Sequence, residues 1–104
     1  MKGPNRKRYI VFEIISNKEL SSDMAERAIL DGSLRLLGEL GTSEAGIRFL
    51  SEFWAKNKGV LSANANHIPK VKLVLALIKK ISGHDVIIKS IKVFGTLKKI
   101  KSNL

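Results

Sequence analysis

The stretch RYIVFEIIS, Arg8 to Ser16, decides the fold of this 104-residue chain. It is dominated by β-branched and aromatic residues, a composition typical of a β-strand. Its side chains also alternate with the period of two that a strand requires. We therefore predict strand 1 here. One alternating set consists of Ile10, Phe12 and Ile14, which we expect to face the core, and the other consists of Tyr9, Val11 and Glu13.

A helical pattern follows strand 1. Leu20 and Ser21 form a hydrophobic staple and an N-cap at its start, and Gly41 is suited to a left-handed end. The segment SLRLLGELG places Gly38 inside this helix, where glycine costs about 1 kcal/mol relative to alanine. Such a glycine indicates a bend, or the close approach of the protein's own sheet, a neighbouring chain or RNA. The predicted buried face of helix 1 consists of Ala25, Ile29, Leu36 and Leu40.

Further elements are predicted after helix 1. The segment Lys56–Gly59 contains asparagine and glycine, which tolerate positive φ, and is expected to form a hairpin turn. Helix 2 begins at an Asn66 cap, with Pro69 in its first turn, and ends at Gly83. Its predicted buried stripe is Val71, Val74, Leu75, Ile78 and Ile81. The remaining strands are strand 2 over Ile47–Trp54, strand 3 over Val60–Ala65 and strand 4 over Val86–Phe94.

The predicted order of elements is βαββαβ, the split βαβ arrangement. It belongs to the α+β class and predicts a ferredoxin-like or RRM-like sandwich, in which two helices cover one face of a four-stranded antiparallel sheet. The length predicts a single domain over residues 1–104. Within it, residues 1–7 form a basic N-terminal arm and residues 96–104 a short basic C-terminal tail.

Positive charge is concentrated towards both ends of the chain. The net charge is +10, from 19 lysines and arginines against 9 aspartates and glutamates. Residues 1–8 carry +4 and residues 53–104 carry +10, whereas residues 9–52 carry −4. Solubility of a small domain needs a net charge of only about 2–8. The excess and its uneven distribution therefore predict a polyanionic partner, and nucleic acid is the usual one.

Side chains suited to catalysis or metal binding are not grouped in the sequence. The chain has no cysteine, which excludes disulfides, thiolate catalysis and cysteine-type zinc sites. His67 and His84 lie at opposite ends of predicted helix 2, too far apart to share a metal ion, and the acidic residues lack metal-ligand spacing. We expect no catalytic residue, no metal and no cofactor bound by the protein. No signal peptide or membrane span is recognisable, which favours a cytoplasmic protein.

Recognition of bases on the sheet surface is disfavoured. RNA-recognition motifs stack bases on aromatic residues of the middle strands. Tyr9 is available on predicted strand 1, but predicted strand 3 contains no aromatic residue. Lysine and arginine contacts to the phosphate backbone are the mode that remains.

Four segments resemble the ribonuclease P protein component 2 family, known from archaea and with a eukaryotic counterpart. They are KRYIVFEI after the basic arm, SLRLLGELG in helix 1, NHIPKVKLVLALI through helix 2 and KVFGTLKKIK at the end. Together they span almost the whole chain in the family's order. The SLR-x-LGE-x-G segment and the G-T-hydrophobic-K segment are the discriminating ones, because hydrophobic strands fit many families.

The resemblance implies a protein subunit of ribonuclease P, the ribonucleoprotein that removes the 5′ leader from precursor tRNA. In that family the RNA performs the cleavage with Mg²⁺, and the protein, paired with component 3, stabilises the catalytic domain of the RNA. The implied partners are the ribonuclease P RNA, component 3 and the other protein subunits. A homodimer within a heterotetramer is compatible with the resemblance, and no membrane partner is implied.

Candidate binding residues follow from charge and from the glycine. Strands 1 and 4 are antiparallel neighbours in this topology, so we expect the basic segments flanking them to meet at one edge of the sheet. Arg35 lies four residues from Asp31 and Glu39, which fits either a surface ion-pair ladder or an arginine oriented towards phosphate or a partner. Gly38 and Leu37 form the predicted partner interface. The predicted RNA-binding residues are Lys2, Arg6, Lys7, Arg8, Arg35, Lys98, Lys99 and Lys101.

Two other functions remain open at this point. A ribosomal or other structural RNA-binding protein on the same fold would carry the same charge. A small regulatory domain that binds a ligand between paired sheets would not require it. The RNA that accompanies the protein, or the absence of any, distinguishes the three.

Overall fold

A four-stranded antiparallel sheet with helices on both of its faces forms the body of the protein, and the computed structural model describes residues 6–103. The helices are α1 (Ser22–Ala45), α2 (Ile68–Leu77) and α3 (Leu97–Asn103). The strands are β1 (Lys7–Ile15), β2 (Arg48–Phe49), β3 (Lys58–Asn64), β4 (Lys80–Ile81), β5 (His84–Asp85) and β6 (Ile87–Phe94). Short 3-10 turns occupy Ser51–Phe53 and Ala65–His67.

The strand order of the sheet is β2-β3-β1-β6, and every neighbouring pair is antiparallel. This is the order of a split βαβ sandwich, so the predicted fold class is confirmed. Strand β1 is paired on both edges, since Val11 lies opposite Val60 of β3 and Lys92 of β6. Strands β4 and β5 form a separate hairpin. Predicted strands 1 and 4 differ from β1 and β6 by a single residue at their ends.

The main core lies between the sheet and helices α1 and α2. Ile10, Phe12 and Ile14 of β1 are buried in it, as predicted. The ring of Phe12 lies 6.3 Å from those of Phe49 and Trp54, measured between centroids. Aromatic side chains bury large areas, so these three rings close the core towards the β2 edge of the sheet.

Helix α3 packs on the opposite face of the sheet and is formed by residues predicted as a tail. Its Ile100 is fully buried in a second cluster with Val11 of β1 and Val60 of β3. Full burial of an isoleucine side chain contributes about 1.5–3 kcal/mol, which holds this short helix on the sheet. Tyr9 and Phe94 pack against the same cluster. The expectation of helices on one face only is therefore incomplete, because α3 covers part of the second face.

Helix α1 is longer than predicted and is bent at Gly38. The amide of Met24 donates to Ser21 Oγ at 3.2 Å, which confirms the predicted N-cap. Gly38 has φ 76° and ψ 177°, values outside the helical region. The chain then resumes its helix, and the left-handed end predicted at Gly41 is formed instead by Gly46, at φ 63° and ψ 37°.

The outward side of α1 carries two leucines that were predicted to be buried. Leu36 is 45% exposed and Leu40 is 73% exposed, so these two assignments are wrong. The inward positions of α1 are spaced by four, and Leu37 takes the place expected for Leu36. The bend at Gly38 then removes the residues after it from the earlier helical register. The inward residues are Ala25, Ile29, Ser33 and Leu37.

Helix α2 is shorter than predicted. It ends at Leu77, and the chain continues into the β4–β5 hairpin, whose turn contains Gly83 at φ 83°. The prediction of a helix ending at Gly83 is therefore wrong. The Asn66 cap is also wrong, because Asn66 lies in a 3-10 turn and no side chain caps α2. Ile78 and Ile81 are nevertheless buried, so the apolar spacing fits both a helix and a hairpin.

Predicted strand 2 is mostly not a strand. Strand β2 has only two residues and is followed by a 3-10 turn. This turn sends Leu50 and Phe53 to the second cluster and Trp54 to the main core. The apolar residues of this segment therefore serve both faces of the sheet, which is why their pattern shows no single period.

The β2–β3 connection is a tight turn that also anchors the start of α1. Lys56 and Asn57 have φ values of 51° and 62°, and Lys58 begins β3 earlier than predicted. The predicted turn is thus confirmed, with Lys56 and Asn57 as its central residues. Asn57 Oδ1 accepts a hydrogen bond from the Leu20 amide at 2.8 Å, and Asn57 Nδ2 donates to the Lys18 carbonyl at 2.9 Å.

Candidate nucleic-acid interface

The basic segments from the two ends of the chain lie side by side at one end of the sheet. Tyr9 of β1 is opposite Phe94 of β6, and the two strands are antiparallel. The start of β1 is therefore beside the end of β6 and the beginning of α3, which confirms the predicted meeting of the two ends. Arg6 precedes β1 on this edge and is exposed. Lys2, the remaining predicted residue of this group, lies outside the described residues.

Lys7 is partly engaged in a structural contact. Its Nζ donates to the carbonyl of Gly46, at 3.4 Å, at the end of α1. The amide group of Asn64 donates to the carbonyl of Glu44 at 2.7 Å in the same place. The last carbonyls of a helix lack partners within it and carry partial negative charge, so a cation and an amide stabilise them. Lys7 thus caps α1, in addition to any contact with RNA.

Arg8 is held across the end of β6. A Cβ atom added to Gly95 would lie 2.6 Å from Nη1 of Arg8, so the guanidinium crosses directly over this glycine. Arg8 is half-buried. Within residues 6–103, its guanidinium has no hydrogen bond or ion pair. The arginine is therefore positioned by packing and retains its donors for another molecule.

Helix α3 directs its basic side chains away from the sheet. Ile100 is buried and faces the sheet, while Lys98, Lys99 and Lys101 are exposed. The amide of Lys99 donates to Thr96 Oγ1 at 3.4 Å at the start of this helix. The three lysines predicted on a tail thus occupy a folded helix next to Gly95. Their binding to RNA stays a prediction.

Strand β6 adds basic residues that were not predicted from the sequence. Lys92 Nζ lies 5.3 Å from the ring centroid of Phe94, within the range of a cation–π contact. Lys89 is exposed on the same strand and is opposite Glu13 of β1. The signal was present in IIKSIKVF, where lysines recur along an edge strand, but a lysine on an edge strand also serves to prevent aggregation.

Arg35 lies apart from this group, on α1. It lines a shallow groove of about 280 Å³ between α1 and the β4–β5 hairpin, with Asp23, Asp31 and Lys80 among its neighbours. In the part of the chain that the structure describes, no ion pair within 4 Å joins Arg35 to Asp31 or Glu39. The predicted ladder is therefore not formed. The bend at position 38 explains why the Arg35–Glu39 pair is missing, because Glu39 is no longer one helical turn above Arg35.

Gly38 and Leu37, the predicted partner interface, have different roles in the structure. Leu37 packs against the main core, so its side chain is not the exposed one. An added Cβ at Gly38 would have no heavy atom within 4 Å in the described protein, so the glycine serves the bend rather than a contact within the chain. The exposed apolar residues around it are Leu34, Leu36 and Leu40, with exposed fractions of 45%, 45% and 73%. We call these three the leucine patch.

The sequence SLRLLGELG contains the signal for this patch. Its four leucines exceed what one buried stripe of a helix accommodates, so some must be exposed or covered by a partner. Periodicity alone assigned Leu36 and Leu40 to the inside; Leu37 takes the inward place instead of Leu36, and Leu40 follows the bend at Gly38.

The histidines and acidic residues do not form a site for metal chemistry. His67 precedes α2 and His84 lies in β5. Nδ1 of His67 is buried without a hydrogen-bond partner among the described residues. Across residues 6–103, no group of three or more histidine, aspartate or glutamate side chains is placed to hold a metal ion. The described helices are also too short or too polar to span a membrane.

Comparison with known proteins gives consistent matches. A model of the Rpp14/Pop5 family matches residues 8–104. Ribonuclease P protein component 2 of Pyrococcus furiosus is 36% identical over 97 residues, covering 93% of this chain and 81% of that protein. The protein of the same name from Archaeoglobus fulgidus is 32% identical over 97 residues, covering 93% and 86%.

One similarity to a solved structure concerns the fold. A chain in the cryo-EM structure of yeast ribonuclease MRP aligns with a TM-score of 0.73, covering 99% of this chain and 94% of that chain. The sequences are 11% identical, so the match shows that the two chains share the fold.

Proposed function

The chain belongs to the Rpp14/Pop5 family, and we propose that it is a protein subunit of ribonuclease P, the ribonucleoprotein that removes the 5′ leader from precursor tRNA. The observation that carries this proposal is the family match over residues 8–104, together with relatives named ribonuclease P protein component 2 at 26–36% identity. The discriminating segments SLRLLGELG and FGTLKK both lie inside the matched range.

In this proposal the RNA performs the cleavage with Mg²⁺, and the protein stabilises the folded RNA. The side chains suited to this task are the basic ones at the meeting of β1, β6 and α3, among them Arg8, Lys98 and Lys99. Each phosphate that they neutralise releases a condensed counterion, so binding is strong at low salt and independent of base identity. Such contacts position a protein on RNA and hold RNA segments together without reading sequence.

The proposal gives the leucine patch to a protein partner. It lies on α1, within the segment 9–52 that carries −4, and its apolar side chains are exposed. We assign this patch to protein component 3, with a second copy of this chain in a heterotetramer as the other arrangement to be tested. A cytoplasmic location belongs to the same proposal.

Capture of the RNA bound in cells tests the function. The tagged protein is purified from its own organism, and the RNA it retains is sequenced and assayed for cleavage of precursor tRNA with Mg²⁺. We expect one non-ribosomal RNA and leader-removing activity that is lost on treatment with a general ribonuclease before the substrate is added. Recovery of ribosomal RNA alone would favour a ribosomal protein, and recovery of no RNA would favour a ligand-binding regulatory domain.

Paired lysine variants test where the RNA binds. Lys98→Ala with Lys99→Ala should weaken binding to this RNA and flatten the slope of log affinity against log salt by about 1 for each phosphate that is no longer neutralised. The matched control is Lys70→Ala with Lys72→Ala, which removes the same charge from exposed positions of α2. Circular dichroism confirms that both pairs are folded. A larger loss of affinity in the α2 pair would move the RNA contacts to that helix.

A further inference from the structure

Gly95 is a glycine that the backbone conformation does not require. It is not among the glycines with positive φ, which in the described protein are Gly38, Gly46 and Gly83. The position leaves space for a side chain from β1, since an added Cβ would meet Nη1 of Arg8 at 2.6 Å. The glycine therefore leaves room for the guanidinium and does not serve to form a turn.

The geometry of the sheet explains this contact. Tyr9 and Phe94 are register partners, so Arg8 of β1 and Gly95, the residue directly after β6, are the next opposing positions. A glycine opposite a long side chain leaves an open site on the sheet surface, over which the side chain can lie. The guanidinium thereby reaches from β1 across Gly95, which lies in the chain between the end of β6 and the beginning of α3.

Arg8 and its neighbour Lys7 differ in their contacts within the described protein. Lys7 Nζ lies 3.4 Å from the carbonyl of Gly46 and so has an acceptor within the protein. Arg8 is half-buried, yet its guanidinium has no hydrogen bond or ion pair within residues 6–103. A planar guanidinium with free donors matches the paired oxygens of a phosphodiester.

We propose that Gly95 is a positioning residue that holds the Arg8 guanidinium over the end of β6, where it binds an RNA phosphodiester. The inference rests on the proposed RNA-binding function and adds to it the residue that orients one phosphate ligand. It also assigns the glycine of the F-G-T-L-K segment to the placement of that arginine.

A double-mutant cycle tests the proposal on the full-length protein. Gly95→Ala introduces a methyl group that displaces only the flexible end of Arg8, so the protein is expected to remain folded. Arg8→Gln removes the charge and shortens the side chain. Affinity is measured by titration at several salt concentrations with two probes, a transcript of the ribonuclease P RNA and a structured ribosomal RNA fragment.

Arg8→Gln should lower affinity roughly tenfold, the usual effect of losing a hydrogen-bonded charge, and flatten the salt slope by about 1. Gly95→Ala should produce a smaller loss of the same kind, and the double variant should match Arg8→Gln alone. Gly41→Ala is the control, since it adds a methyl group to another glycine without positive φ. It should retain the wild-type affinity and slope.

Two results would overturn the inference: wild-type affinity and slope for Gly95→Ala, or an equal loss from Gly95→Ala in the Arg8→Gln background. If Gly95→Ala is unstable, Arg8→Lys replaces it, because lysine keeps the charge but has no guanidinium fork. A loss with Arg8→Lys close to that of Arg8→Gln supports the placed fork, whereas full retention opposes it. Coupling seen only with the ribosomal fragment would reject the ribonuclease P proposal while keeping the phosphate site.

Discussion

The variant Gly38→Ala tests whether α1 requires the bend at Gly38. A required bend predicts that alanine lowers the stability of the protein, whereas a bend that is only tolerated predicts that alanine raises it. At φ 76° and ψ 177° the residue occupies a region that is essentially restricted to glycine. An L-residue held there costs about 1–3 kcal/mol. If α1 could instead run straight through this position, alanine would be favoured over glycine by about 1 kcal/mol.

The structure also predicts how the effect depends on side-chain size. A Cβ at position 38 would have no heavy atom within 4 Å in the described protein, so the cost arises from the backbone alone. Gly38→Leu should therefore lose about as much stability as Gly38→Ala. Since 1 kcal/mol shifts the melting temperature of a domain of this size by about 4–8 °C, a cost of about 1–3 kcal/mol should make both variants melt roughly 4–24 °C lower.

The assay is urea and thermal unfolding of the two variants beside wild type, with Gly41→Ala as the control. Gly41 has no positive φ and its added Cβ would lie 3.0 Å from Cβ of Leu37, so helix propensity and a tight contact oppose each other there. A change below about 1 kcal/mol is expected for it. Unchanged or raised stability of Gly38→Ala would refute a required bend. A much larger loss for leucine than for alanine would show a contact that this structure lacks.

Three further predictions concern α3, the β2–β3 turn and the histidines. Ile100→Ala should lower the free energy of unfolding by about 2–4 kcal/mol because its side chain is fully buried, and a melting temperature equal to wild type would mean that α3 is not packed on the sheet. Asn57→Gly keeps the positive φ but loses two side-chain hydrogen bonds, so urea unfolding should show a loss of about 1–3 kcal/mol, with Asn57→Asp, which keeps the acceptor, in between. His67→Ala and His84→Ala should leave the single-turnover cleavage rate of the reconstituted ribonuclease P unchanged at saturating RNA and Mg²⁺. A slower rate for either variant would give that histidine a part in the reaction. The protein alone should not cleave precursor tRNA.

The distribution of charge separates two kinds of surface on this small domain. The exposed lysines and arginines at the β1–β6–α3 edge suit phosphate, whereas the leucine patch lies in the segment of net charge −4. A protein subunit of a ribonucleoprotein needs both properties, because it must hold RNA without covering its protein-binding surface with RNA. The segregation follows directly from the sequence, and it survives folding because α1 and the strand ends are different parts of the sandwich.

The sequence by itself determined strand β1, with the side chains that it buries, and the family. RYIVFEIIS predicts a central strand with Ile10, Phe12 and Ile14 inside because the two-residue period and β propensity are local properties, independent of distant contacts. Motif spacing and net charge are equally local, and they sufficed to predict the family and a polyanionic partner. The N-cap at Ser21 is set within a single turn, and it too was predicted correctly.

Only the tertiary structure decided where helix α2 ends and that the C-terminal segment folds into helix α3. Apolar spacing over Val71 to Ile81 fits a long helix as well as a short helix plus hairpin, and only packing against the sheet selects the second. Similarly, a basic tail becomes helix α3 because Ile100 finds a vacant apolar site on the second face of the sheet.

The contacts of the two neighbouring cations of β1 were also decided by the tertiary structure. Lys7 and Arg8 are adjacent cations in the sequence, yet Lys7 contacts the carbonyl of Gly46, 39 residues away, while Arg8 crosses Gly95. Which backbone each side chain meets depends on strand register and on where α1 ends. Both arise from long-range packing, for which neither charge nor periodicity carries information.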